Sequence, residues 1–186
     1  MEVEPIKTME EVAAMKAILK YKKRDALLFV MGINTALRIG DLLSLSIGDV
    51  LNDKGKIVAA VRLKEQKTGK EKRFPLNKSV QKALSAYLKQ CGSNGRKEPL
   101  FPSQKGGPLS RWQAWRILRA AGKSIGLENI GTHSLRKTFG YHVYKNNGGD
   151  IGLVQKLLNH SASSCTLRYI GIDRERMDKT YMDLNL

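Results

Sequence analysis

The chain has 186 residues, and its 33 lysines and arginines against 17 acidic residues give a formal charge of +16 at pH 7. This length suits one domain, and 41% hydrophobic residues suffice for an ordinary core, which excludes a disordered tail. So large a positive excess favours an anionic partner, either nucleic acid or a membrane surface. The longest apolar run, Ala26 to Ile33, is too short to span a bilayer, and the basic residues are scattered. Nucleic acid is therefore the favoured partner.

The two cysteines, Cys91 and Cys165, stand in no CxxC or Cys/His ligand spacing. This pattern predicts neither a disulfide framework nor a zinc site, and it favours the cytoplasm. The residues Met1 to Pro5 are acidic and contain no apolar core, so no signal peptide is predicted.

Hydrophobic periodicity and capping patterns predict a mainly helical chain with one small antiparallel sheet inserted early. A capping box at Thr8 and Glu11 begins the first helix, and a Lys-Thr-Gly-Lys turn joins two β-rich runs into a hairpin with a basic tip. The predicted elements of the first half are a helix from Thr8 to about Leu19, a helix from Arg24 to about Leu37, strands within Lys56–Leu63 and Lys72–Leu76, and a helix after Asn77 to about Leu88.

A Gly/Pro-rich connector, Cys91 to Pro108, separates these elements from a second helical half. Ser110, Thr132 and Asp150 are predicted to begin helices, and a last helical piece carries Tyr169. Trp112 and Trp115 are interpreted as core residues rather than base-stacking ones.

The segment from Thr132 to Lys137 gives the first chemical signal. His133 and Arg136 stand three residues apart, and on a helix they share a face. A histidine that titrates near neutrality beside an arginine suits a phosphate undergoing reaction. Taken alone, however, the pair is better explained as a solvated helix face with a histidine in the capping turn.

Three further positions suit the same chemistry, and each has an ordinary structural explanation. Tyr169 follows His160 by nine residues, and a phenol with a pKa of about 10 attacks only where cations stabilise phenolate. Arg38 precedes Asp41 by three residues, which is also typical of a structural ion pair. Lys67 lies at the hairpin tip, where a lysine protonates a leaving alkoxide or merely contacts phosphates.

Together these segments resemble the catalytic domain of the tyrosine recombinases, the phage integrase family, over nearly the whole chain. The order Arg, Lys, His-x-x-Arg, His, Tyr is carried by Ala-Leu-Arg-Ile-Gly-Asp-Leu-Leu, Lys-Thr-Gly-Lys, His-Ser-Leu-Arg and Leu-Leu-Asn-His, followed by the tyrosine. The resemblance implies a mixed α/β, mainly helical fold, DNA strand cleavage and religation, and no cofactor, metal or nucleotide.

The resemblance also implies a role for each residue. Arg38 and Arg136 would clamp the scissile phosphate, with Asp41 supporting the first arginine. His133 would assist proton transfer and His160 would donate to the phosphate. Lys67 would be the general acid, and Tyr169 would form a 3′-phosphotyrosyl intermediate.

The sequence departs from the family pattern at Asn159, where glycine is usual, and at Lys137, where histidine is frequent. We predict one catalytic domain over residues 1–186, without the family's N-terminal core-binding domain. The expected partner is double-stranded DNA, with a homo-oligomer, a tetramer, on DNA and a monomer possible without it. In this family a C-terminal segment often docks on a neighbouring protomer, so Met177 to Leu186 either covers its own domain or packs in trans.

The predicted function is site-specific recombination in the integration or excision of a mobile element. Two alternatives remain open at this point: a type IB topoisomerase-like enzyme, which shares the chemistry, and a non-catalytic DNA-binding regulator with the same fold.

Overall fold

The computed structural model describes residues 3–91 and 95–184. These residues form one helical body with a two-stranded sheet, in the element order α1 (Met9–Leu19), α2 (Lys23–Thr35), α3 (Ile39–Leu43), α4 (Ile47–Val50), β1 (Ala60–Lys64), β2 (Glu71–Pro75), α5 (Lys78–Cys91), α6 (Arg111–Lys123), α7 (Thr132–Asn146), α8 (Ile151–Leu158), α9 (Ser163–Ile170) and α10 (Ile172–Asp183). The predicted mainly helical architecture with a small antiparallel sheet is confirmed.

Side-chain caps begin the helices where the sequence indicated them. The Thr8 hydroxyl accepts from the backbone N–H of Glu11 at 3.1 Å, and the Glu11 carboxylate accepts from the Thr8 N–H at 3.1 Å. Asp150 likewise accepts from the N–H of Leu153 at 2.9 Å. Each cap satisfies backbone donors that have no partner inside the helix, which fixes where the helix starts.

The hairpin is antiparallel, with Val61 opposite Phe74 and Lys64 opposite Glu71. The first strand begins at Ala60, later than the predicted Lys56, because residue Ile57 instead bridges to Leu51. The six-residue turn between the strands, residues 65–70, carries Lys67 at the surface.

Two helix boundaries were predicted imprecisely, and both bear on the site. Helix α2 ends at Thr35 because Ala36 takes a left-handed conformation with φ 55°. Arg38 therefore stands in extended backbone as the N-cap of α3, outside the long helix. The last helical region divides at Gly171, whose φ of 79° is easily adopted only by glycine, so α9 with Tyr169 is separate from α10.

Helix α7 lies against α2 on one side and against α8 and α9 on the other. Its Gly140 allows the close approach, because a Cβ there would come within 2.7 Å of Ile170 and 3.1 Å of Leu158. Arg136 lies one turn earlier on the same helix, so this packing draws the ends of α8 and α9 towards it.

The interpretation of both tryptophans as core residues is wrong for Trp112. Its side chain is 62% exposed and stacks on the half-buried Trp115, with ring centroids 4.6 Å apart.

No helix within the described part of the chain is long and apolar enough to cross a membrane.

Candidate active site

Arg136 is a buried guanidinium that joins two helix ends. It is 3% exposed and donates through Nη1 to the carbonyl oxygen of Ala36 at 2.6 Å and through Nη2 to that of Leu158. Both acceptors lie at helix C-termini, where carbonyl groups lack partners within the helix and carry partial negative charge. A guanidinium has five N–H donors, so this arrangement leaves others available for a phosphate.

Arg38 reaches the same centre from the start of α3. Its Nη1 forms an ion pair with Oε1 of Glu65 at 2.9 Å, and the Glu65 side chain is fully buried. Asp41, the carboxylate expected to support Arg38, instead accepts from the backbone N–H of Gln66 at 2.8 Å. Its Oδ2 is buried and has no hydrogen-bond partner among the described residues. Both acidic residues therefore anchor the hairpin turn, and support of Arg38 by Asp41 stays a prediction.

His160 and Tyr169 are in direct contact. Their rings meet edge to face, with centroids 5.0 Å apart and an interplanar angle of 85°. His160 Nδ1 lies 3.2 Å from the hydroxyl of Thr166, and that hydroxyl donates to the carbonyl oxygen of Ala162 at 3.0 Å. Because the hydroxyl proton is engaged with Ala162, the oxygen is available to accept from an Nδ1–H, which holds the ring in place.

The electrostatic environment of Tyr169 combines burial with two cations. Burial raises the pKa of Tyr169, whereas the charges of Arg136 and Arg38 and a hydrogen bond with Arg136 act in the opposite direction. The neutral phenol is therefore the resting form, and the two arginines stabilise phenolate when it forms.

His160 experiences the same cations. Burial and the charges of Arg136, Arg38 and Lys72 lower the pKa of His160 to about 4. Its ring is therefore neutral at physiological pH until a negative charge enters the centre.

His133 lies at the start of α7, on the exposed side of the centre. Desolvation on its protein-facing side lowers its pKa, and so do the charges of Arg136, Lys137, Lys67 and Arg111. Lys67 is thus electrostatically close to His133, although it is exposed on the hairpin turn. A neutral imidazole at this position is able to accept a proton at pH 7.

Lys72 on β2 was not singled out in the sequence as a functional residue. Its amine donates to the carbonyl oxygens of Ala36 at 3.2 Å and Leu157 at 3.0 Å. Burial, together with the nearby charges of Arg136 and Arg38, lowers its pKa to about 8. Lys72 and Arg136 thus share the carbonyl oxygen of Ala36, which ties the hairpin to the site. No local pattern distinguishes Lys72 from the other hairpin lysines, and only its burial sets it apart.

Residues distant in the sequence therefore meet in one cationic centre. Arg38, Arg136, His160 and Tyr169 lie together, while His133 and Lys67 lie at its open side. Among the described residues, no group of three or more His, Cys, Asp or Glu has the geometry to hold a metal ion. The arrangement brings a potential nucleophile together with fixed positive charges, which suits attack on a phosphate.

Comparison with known proteins agrees with this arrangement. The model of the phage integrase family matches residues 6–176. The chain is 45% identical over 181 residues to the probable integrase/recombinase YoeC of Bacillus subtilis, covering 96% of this chain and 95% of that protein. The chain therefore belongs to the phage integrase family of tyrosine recombinases, and the integrase/recombinase class predicted from the sequence is confirmed.

Other relatives extend the comparison. The chain is 31% identical to the tyrosine recombinase XerD of Corynebacterium glutamicum over 85% of this chain and 51% of that protein. It therefore spans about half the length of this relative. The crystal structure of XerA recombinase matches with a TM-score of 0.76 at 23% identity, over 98% of this chain and 64% of that one, and so shares the fold.

Proposed function

We propose that this chain cleaves and rejoins double-stranded DNA at specific sites through a covalent 3′-phosphotyrosyl intermediate on Tyr169. The observation that carries the proposal is the contact of Tyr169 with His160 and Arg136 in a centre that also receives Arg38. Two fixed guanidinium groups and an imidazole around one phenol are suited to a phosphodiester and its five-coordinate transition state.

In the cleavage step, the Tyr169 hydroxyl oxygen attacks the scissile phosphorus and the bond from phosphorus to the 5′ oxygen breaks. The phenolic proton passes to the side of the centre that holds His133, and Lys67 gives a proton to the departing 5′ oxygen. Arg38 and Arg136 hold the nonbridging oxygens, and His160 donates to one of them once the phosphate charge favours its protonation. The products are a phosphotyrosine diester and a free 5′ hydroxyl.

Religation is the reverse of this step, with a 5′ hydroxyl as the nucleophile. If the attacking hydroxyl belongs to another duplex, strands are exchanged. One phosphodiester is broken for each one formed, so the reaction needs no nucleotide, and the cations of the protein replace a metal ion at the phosphate.

The proposed assembly is a homo-oligomer, a tetramer, on double-stranded DNA, with a monomer possible in its absence. The charge of +16 supports a polyanionic partner. The proposed compartment is the cytoplasm, where the two cysteines, Cys91 and Cys165, stay reduced.

Two alternatives make different use of the same centre. A topoisomerase-like enzyme would form the same adduct but would relax supercoils without joining two duplexes. A regulator would bind DNA without forming an adduct. The chain retains the reactive residues Arg38, Lys67 and Tyr169, which argues against this alternative.

Covalent trapping tests the proposal. Duplexes that the protein selects from a random pool would be synthesised with a nick one to three nucleotides from each candidate cleavage position, so that a short fragment leaves and religation fails. Denaturing electrophoresis should then show a protein–DNA adduct that resists EDTA. Ligated products between two unnicked, differently labelled duplexes indicate recombination, and relaxation of a supercoiled plasmid without such products indicates a topoisomerase. Binding with no adduct on any nicked duplex would contradict the proposal.

A further inference from the structure

Glu65 is a buried carboxylate that belongs to none of the sequence motifs. It follows β1 directly and is 1% exposed. Its backbone closes the turn that carries Lys67, because its N–H donates to the carbonyl of Lys70 and its own carbonyl accepts from Gly69, both at 2.9 Å. The side chain points away from solvent, into the catalytic centre.

Oε2 of this carboxylate accepts hydrogen bonds, whereas Oε1 makes an ion pair without a hydrogen bond in the described ranges of the chain. Oε1 lies 2.9 Å from Nη1 of Arg38. Oε2 accepts from the hydroxyl of Thr68 at 2.7 Å and from the side-chain amide of Asn159 at 3.1 Å. Arg38 is a proposed phosphate ligand, Thr68 is the neighbour of Lys67, and Asn159 is the neighbour of His160.

The charge state of Glu65 suits this set of donors. Burial alone would raise its pKa, but the hydrogen bonds from Thr68 and Asn159 and the charge of Arg38 lower it below its ordinary value. An ionised buried carboxylate is tolerated only when its partners compensate for lost water, so these contacts hold each other in place.

The same contact gives a role to Asn159, the residue that caps the C-terminus of α8. Its φ of 52° ends α8 in the left-handed region, which glycine and asparagine both adopt. Only asparagine adds a side-chain donor, and in this chain that donor reaches Glu65.

We propose that Glu65 is a positioning residue that holds three parts of the catalytic centre in register: Arg38, the Lys67 turn through Thr68, and the end of α8 before His160 through Asn159. This inference rests on the proposed function. The contacts of Glu65 with Thr68 and with Asn159 are called its two arms. The Thr68 arm acts through Lys67, the general acid, and the Asn159 arm acts through His160, a phosphate ligand, so the loss of each arm has a different consequence.

Two substitutions detach single arms with little risk to folding. Thr68→Val removes one hydroxyl at nearly constant volume, and with it the longer contact in which that hydroxyl accepts from the N–H of Lys70 at 3.3 Å. Asn159→Gly removes the amide at a backbone conformation that glycine accepts. Thr180→Val and Asn147→Gly are the controls, since the Thr180 hydroxyl donates to the carbonyl of Arg176 within α10 and Asn147 donates to the carbonyl of Val143 at the far end of α7. Glu65→Gln keeps the shape and removes the charge.

The measurements are single-turnover cleavage of a trapped nicked duplex at saturating protein, DNA affinity and thermal melting. A displacement of about 1 Å costs up to roughly 10²-fold in rate, so we expect losses of about 10-fold to 10²-fold for both arm variants with unchanged affinity. A duplex with a 5′ bridging sulfur has a leaving group that needs no protonation. It should restore the rate of Thr68→Val but not that of Asn159→Gly, and it should restore Glu65→Gln only in part.

The role of Glu65 would be overturned if both arm variants cleaved within twofold of the wild-type rate, or if sulfur rescued both equally. In either case the adduct formed by wild type would still uphold the proposed function. If wild type itself forms no adduct, both fail together. Should Glu65→Gln melt near the assay temperature, the two arm variants alone decide the matter.

Discussion

His160 and Tyr169 meet edge to face, with ring centroids 5.0 Å apart. The contact joins His160, two residues after the end of α8, to the last turn of α9, and Thr166 fixes the histidine from within α9. Any phosphate that the tyrosine attacks must therefore also meet the imidazole.

The ionisation of His160 is expected to depend on the phosphate. In the protein alone its pKa is lowered from 6.5 to about 4 by burial and by neighbouring cations. The unfolded chain binds the proton near pH 6.5 and the folded chain only near pH 4, so this group destabilises the fold progressively as the pH falls through that window. Bound DNA phosphate should raise the pKa.

Histidine ring resonances followed by NMR from pH 8 to pH 4 check this expectation, with His160→Gln used for assignment. Titration of His160 well below 6.5 without DNA, and higher with it, agrees with the account. A midpoint near 6.5 that DNA does not move would show that the arginines do not act on this ring.

Gly140→Ala is expected to destabilise the protein, although alanine usually stabilises a helix interior. The new Cβ would lie 2.7 Å from Ile170 and 3.1 Å from Leu158, so α8 and α9 must move apart from α7. Overpacking of this kind costs about 1–3 kcal/mol. Urea unfolding measures it.

Gly95→Ala is a control at a loop position, because within the described part of the chain its Cβ would meet only Glu98, at 3.8 Å. If Gly140→Ala unfolds at the same urea concentration as wild type, α7 does not need this close approach.

Lys67→Ala is expected to lower the cleavage rate by about 10²–10⁴-fold, the usual effect of losing a general acid. Its loss of affinity should not exceed that of Lys70→Ala, which removes an exposed lysine from the same turn. A 5′ bridging sulfur should restore most of the rate to Lys67→Ala, but not to Arg38→Ala or Arg136→Ala. Without that rescue, Lys67 is a phosphate anchor and the acid lies elsewhere.

Cleavage should proceed at an unchanged rate in excess EDTA and without nucleotide. Arg38, Arg136 and Lys72 already place positive charge at the centre, and they would repel a divalent cation. Cleavage rates with and without EDTA and added Mg²⁺ test this. An absolute dependence on Mg²⁺ would contradict the proposed chemistry.

The helices were predictable because their signals are local. Capping residues such as Thr8 and Asp150 act on N–H groups three residues away, so the sequence shows them directly. The break at Ala36 is different. Its left-handed backbone is held by the two side chains that donate to its carbonyl, Arg136 and Lys72, and neither is near it in the sequence.

The motif residues of the site were predictable because their types and order match a family. Their partners were not. Asp41, close to Arg38 in sequence, was the obvious carboxylate, yet Glu65 makes the ion pair because the hairpin turn folds back over α3. Pairings of this kind depend on tertiary packing, which the spacing of residues does not encode.

Covalent adduct formation by Tyr169→Phe, measured beside wild type on the trapped nicked duplex, tests the central claim most directly. Phenylalanine removes the hydroxyl and keeps the ring against His160, so folding and DNA affinity should change little. The account predicts that wild type forms the adduct and Tyr169→Phe forms none. An adduct of undiminished yield from Tyr169→Phe would show that the nucleophile is another residue.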